Sequence, residues 1–125
     1  MCGITGFLKL TNSIRTELDK NHLSEMTKAL SHRGPDNSGM WFEENIFFGH
    51  TRLSILDLSS KGNQPMISKS KRFVLTFNGE IYNFKELKSK LKLYVNWRGN
   101  SDTEVFLECI EAWGIDKTLN LSRGM

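Results

Sequence analysis

An α+β domain with mostly antiparallel sheets is the fold class this sequence predicts, on three observations. Short runs with strand character are interspersed with helical patterns along the whole chain. Residues 38–42 and 46–51 read as a hairpin, a connection that favours antiparallel or mixed sheets. The hydrophobic and charged fractions, 38% and 25% of 125 residues, are ordinary for a globular chain and suffice for one domain or part of one.

In chain order, residues 4–10 read as a first strand and Thr11-Asn12-Ser13 as a turn. A helix is expected over residues 21–31, because Leu23, Met26, Thr27 and Leu30 recur at the helical period. His32-Arg33-Gly34-Pro35-Asp36 ends it. The hairpin follows, turned at Glu43-Glu44-Asn45. Residues 53–58 are a further apolar stretch, read as a strand, and residues 61–65 are a loop. Residues 73–77 have the apolar and β-branched character of a buried strand. Two helices close the pattern. Asn83 with Glu86 resembles an N-cap with its acid, and Ser101 with Glu104 makes a capping box for a helix burying Val105, Phe106, Cys109, Ile110 and Trp113 up to Gly114. The last residues, 119–125, show no cap or completed element, which reads as a cut or a fragment.

Several function classes are disfavoured. The net charge is only +3, and the basic clusters Lys69-Ser70-Lys71-Arg72 and residues 85–92 read as solvated faces, so no nucleic-acid partner is expected. The apolar runs are too short for a membrane span, and the first residues lack the basic start of a signal peptide. Two cysteines are too few for a disulfide scaffold, which points to the cytoplasm. The chain has no GxxxxGK[ST] loop and no GxGxxG fingerprint, and His22, His32 and His50 lack zinc-type spacing with the cysteines. No metal or cofactor is expected in this domain, and the three histidines are read as structural. Cys109, on an apolar helix face, is read as an inert thiol.

Cys2 is the candidate nucleophile. If Met1 is removed, its thiol and a free α-amine share one residue, and an amine of pKa about 7.7–8.0 can serve as general base for its own side chain. By position alone, an incidental cysteine at a frayed terminus is the simpler reading. Asn78 and Gly79, at the end of a strand, offer an amide and an unhindered N–H to an oxyanion. Taken alone, however, Asn-Gly reads as a hairpin turn. Arg52 can grip a carboxylate with two parallel hydrogen bonds or be a surface arginine. Asp102 is explained by its place in a first helical turn unless it faces an ammonium group.

Five motifs occur in order: Met1-Cys2-Gly3-Ile4-Thr5-Gly6, His32-Arg33-Gly34-Pro35-Asp36, Arg52-Leu53-Ser54-Ile55-Leu56-Asp57-Leu58, Phe77-Asn78-Gly79-Glu80-Ile81-Tyr82-Asn83 and Ser101-Asp102-Thr103-Glu104. Together they resemble the class II glutamine amidotransferase domain of the asparagine synthetase family, and the resemblance runs from Met1 to Met125. It implies an N-terminal-nucleophile hydrolase fold, a four-layer αββα sandwich of mostly antiparallel sheets, here truncated. It implies Cys2 as nucleophile with its own amine as base, and Asn78 with the Gly79 backbone as oxyanion hole. It implies Arg52 for the α-carboxylate of L-glutamine, Asp102 with Glu80 for the α-ammonium, and the backbone of Leu53, Ser54, Ile55 and Leu56 as pocket lining. The partner it implies is a C-terminal synthetase domain of the same parent chain, absent here, which uses ATP and magnesium. A homodimer is compatible with it. Two other readings stay open: the glutaminase half of an amidotransferase with a sugar or other acceptor, and an inactive glutamine-binding fragment.

Overall fold

Alternation in the first strand divides its residues between two faces, and one of those faces explains the first helix. The computed structural model describes residues 1–10, 16–91 and 96–125. By their contacts, the described residues fall into two units. The first comprises Met1–Ser54, Asn63–Pro65 and Thr76–Asn78; the second comprises Ile55–Gly62, Met66–Leu75 and Gly79–Met125.

In the first unit, β1 (Gly3–Leu8), β2 (Asn37–Glu43) and β3 (Ile46–Arg52) form an antiparallel sheet in the order β1-β3-β2. Gly3 pairs with Thr51 and Leu8 with Ile46, while Asn37 pairs with Arg52 and Glu43 with Ile46. The hairpin turns at Glu44-Asn45, with Glu44 in the left-handed region at φ 48°. The helix α1 (Glu17–Ala29) packs on the face that carries Gly3, Thr5 and Gly49. A Cβ at Gly49 would lie 2.2 Å from Thr27 Oγ1 and 3.4 Å from Leu23 Cδ1, so only glycine admits the helix this close. Leu23 and Phe47 are fully buried, and Phe7 stacks on Phe47 at 4.3 Å. Alternation puts Ile4, His50 and Arg52 on the opposite face.

In the second unit, β4 (Met66–Ile67) pairs antiparallel with β5 (Val74–Leu75). The helices α2 (Phe84–Lys90), α3 (Asp102–Trp113) and α4 (Ile115–Leu121) complete it. Helix α3 is its core, burying Val105, Phe106, Leu107, Cys109 and Ile110 and packing against both α2 and α4. Gly114, at φ 83°, turns the chain from α3 into α4.

These elements bear out the α+β class and the antiparallel pairing, and they correct several details. Helix α1 starts earlier than expected because Thr16 and Asp19 form a reciprocal capping box. Residues 53–58 form no strand: Ile55 and Leu58 are 65% and 81% exposed, and Arg52 is the last residue of β3. The strand expected over residues 73–77 shrinks to Val74–Leu75, since β4 offers only two partners. Asn83 stands at the N-cap of α2 as expected, but its side chain makes no capping bond; it donates to Leu121 O and accepts from Arg123 N–H. Ser101 caps α3, but Glu104 turns away from it. The final residues are paired: Glu80 and Met125 exchange backbone hydrogen bonds of 2.9 and 3.1 Å. The turn expected at residues 11–13 lies outside the described residues.

Candidate active site

The chain enters β1 directly after Cys2, whose half-buried thiol meets the backbone just past the end of β3. Leu53 N–H donates to Cys2 Sγ at 3.4 Å, and the thiol faces Leu53 O at 3.7 Å. The His32–Asp36 motif braces both flanks. Arg33 Nε donates to Cys2 O at 3.0 Å, and Asp36 Oδ2 accepts Ser54 N–H at 2.7 Å. Between them, Gly34 passes so near β3 that a Cβ would lie 2.4 Å from the Thr51 carbonyl carbon.

Arg52 is 6% exposed, and its Nη1 donates to Asn63 Oδ1 at 2.9 Å. Asn78 ends the first unit and is exposed. Among the described residues the positive-φ glycine is Gly114, so Asn78-Gly79 is not a hairpin turn of the Asn-Gly type.

In the second unit, Gly79 is exposed and Glu80 half-buried. Asp102 is 6% exposed; its Oδ2 accepts Ile81 N–H and its Oδ1 accepts Thr103 N–H, both at 2.8 Å. Oδ1 also accepts from Thr103 Oγ1 at 3.5 Å, and Oδ2 keeps lone-pair capacity for a further donor. The loop leading to Asp102 is held by carboxylates. Glu104 accepts from Arg98 N–H and Gly99 N–H at 2.8 and 2.9 Å, and Asp57 accepts Asn100 N–H at 2.7 Å. Ile55 and Leu56 are exposed.

A cavity of about 390 Å³ opens beside α1 and β2, lined by Ser24, Lys28, Ser31 and Met40 among others. Its described lining includes Thr51 but not Cys2, Arg52 or Asn78. Among the described residues no cluster of three or more His, Cys, Asp or Glu could hold a metal ion, and no helix is long and apolar enough to cross a membrane.

A family model described as a glutamine amidotransferase domain matches residues 1–125. This chain belongs to the glutamine amidotransferase domain family. Curated relatives of the amidotransferase domain include an asparagine synthetase [glutamine-hydrolyzing] of Zea mays, 41% identical over 91% of this chain and 19% of the relative. Asparagine synthetase [glutamine-hydrolyzing] 3 of Bacillus subtilis (strain 168) is 38% identical over 93% of this chain and 19% of the relative. Amidase chry2 of Gibberella zeae is 33% identical over 92% and 18%. The chain thus spans about a fifth of the length of these relatives.

Within the amidotransferase domain, the first unit brings Cys2 against Leu53 and carries Arg52, Ser54 and Asn78. Ile55, Leu56, Gly79, Glu80 and Asp102 belong to the second unit. The residues that brace these positions were missed: Arg33, Asp36 and Asn63 in the first unit, Asp57 and Glu104 in the second. Arg33, Asp36, Asp57 and Glu104 do stand in the five motifs, which was the available signal. His50 was expected to be structural, and it is fully buried. Cys109 is the inert thiol expected, with burial pushing its pKa up to about 12.

Proposed function

We propose that this domain hydrolyses the side-chain amide of L-glutamine to glutamate and ammonia through a Cys2 thioester. The observation that carries this reading is the thiol at position 2 with the Leu53 N–H on its sulfur. The peptide bond to Met1 occupies the Cys2 amine, so the reaction requires Met1 to be removed. The freed amine then takes the thiol proton while Sγ attacks the amide carbon. Asn78 and the Gly79 N–H stabilise the oxyanion. The amine returns the proton to the departing nitrogen, ammonia leaves, and water cleaves the thioester to glutamate and the free thiol. Arg52 binds the α-carboxylate, and Asp102 with Glu80 binds the α-ammonium. Leu53, Ser54, Ile55 and Leu56 line the pocket with their backbone.

The relatives' names support asparagine synthesis from aspartate as the use of the ammonia, in a synthetase domain of the parent chain where ATP and magnesium act. The finer fold we propose is the αββα sandwich of N-terminal-nucleophile hydrolases.

Intact mass before and after exposure to a diazoketone analogue of glutamine tests the reaction. A chain lacking Met1 should gain one adduct that glutamine suppresses and that Cys2→Ala abolishes. An adduct of equal size on Cys2→Ala would overturn the assignment.

A further inference from the structure

Phe77, the residue that leads into Asn78, has both of its backbone polar groups gripped by buried side chains. Phe77 N–H donates to Gln64 Oε1 at 2.6 Å, and Phe77 C=O accepts from His50 Nε2 at 3.3 Å. A carbonyl can only accept, so this imidazole carries its proton on Nε2. Its Nδ1 is buried and has no hydrogen-bond partner among the described residues. Burial holds the ring's pKa below 6.5 against the opposing pull of the Phe77 carbonyl, and the nearby Arg52 charge adds to the fall. His50 is fully buried and Gln64 only 6% exposed. Gln64 reaches this point because β2 carries Gly39, where a Cβ would lie 2.1 Å from Gln64 O.

An unpartnered buried ring nitrogen carries a free-energy cost that an apolar residue at position 50 would avoid. The Nε2–H bond to Phe77 is what the imidazole supplies in return. A leucine could fill the same space but could not hold that carbonyl. We infer that His50 and Gln64 are positioning residues: holding the peptides on either side of Phe77, they fix its backbone, and through it the direction in which Asn78 presents its amide to an oxyanion. This rests on the proposed role of Asn78. A misplacement near 1 Å can cost on the order of a hundredfold in rate, so a clamp on the preceding peptide has kinetic consequences.

Glutaminase kinetics of the full-length protein test this inference, with Asn78→Ala as reference. His50→Leu removes the donor, Gln64→Met removes the acceptor at similar length, and His50→Gln restores a donor. His50→Leu and Gln64→Met should each lower kcat roughly ten- to hundredfold with KM changed less than about twofold. His50→Gln should recover to within about threefold of the parent. In the Asn78→Ala background both losses should shrink below about twofold, because the residues act through Asn78. If Asn78→Ala keeps the parent kcat, the oxyanion-hole reading itself fails. If Asn78→Ala is slow but the other losses multiply with it, or appear only as a lower Tm, the positioning role alone is overturned. Should His50→Leu not fold, Gln64→Met decides by the same criteria.

Discussion

In the first unit, the backbone ahead of Asn78 is held by His50 and Gln64, side chains without charge. In the second, the backbone ahead of Asp102 is held by the carboxylates of Glu104 and Asp57. Each choice suits the charge proposed to develop at the residue it serves. A carboxylate beside a forming oxyanion would repel it, whereas carboxylates near a substrate ammonium attract it. Neutral buried groups also avoid the desolvation that a buried ion must offset with several hydrogen bonds. Glu104 meets that requirement: it is fully buried and accepts from two backbone N–H groups and from Arg98 Nε at 3.2 Å.

The largest effect that could break this comparison is at Glu104. Glu104→Ala should cost about 3–5 kcal/mol, since it strands two backbone donors and removes a buried ion. Urea unfolding gives the number, and faster amide exchange at Arg98 and Gly99 locates it. A loss below about 1 kcal/mol would show that the carboxylate is not what holds the loop. Next in size is Leu23→Ala in the first unit, expected to cost roughly 3 kcal/mol by leaving a cavity under the sheet. Because apolar packing carries no charge, that cost should not change between low and high salt; a marked salt dependence would break the contrast.

The smallest effect is a pair of pH responses of opposite sign. Burial lowers the His50 pKa below 6.5, so the unfolded chain binds the proton more readily. Stability from this residue is present above 6.5 and is lost as pH falls through the folded-state pKa. Burial raises the Glu108 pKa above 4.5, against the opposing pull of Lys69 and Arg98 and with Glu104 adding to the rise. Its contribution is present below 4.5 and is lost as pH rises through the raised pKa. Subtracting the urea midpoints of His50→Gln and Glu108→Gln from those of the parent, across pH, should give slopes of opposite sign. Slopes of one sign would sink the assignment.

Much of this was legible in the residues. The hairpin was, because two short runs of strand character joined by a polar turn are a local property, although the turn is Glu44-Asn45 and one residue shorter than expected. Helix α3 was, because its apolar period and the Ser101 cap lie within one segment. The end of α3 was, because Gly114 can adopt a φ that other residues resist. Helix α1 was placed too late because its box uses Asp19 where Glu or Gln is the usual signal. The apolar residues 53–58 misled, since Ile55 and Leu58 are exposed and composition alone does not report burial.

What the sequence determined by itself, then, is the fold class and the chemical candidates, above all Cys2, Arg52, Asn78 and Asp102. Those follow from local pattern and from motif order. The tertiary structure decided how the candidates are held. Cys2 and Leu53 are 51 residues apart, and so no local pattern could pair a thiol with that N–H. Gln64, His50 and Phe77 meet only because β3 is the central strand and Gly39 on its neighbour leaves no side chain in the way. A hydrogen bond across such distances exists only once the sheet register is set, and register is a property of the paired strands rather than of any one segment.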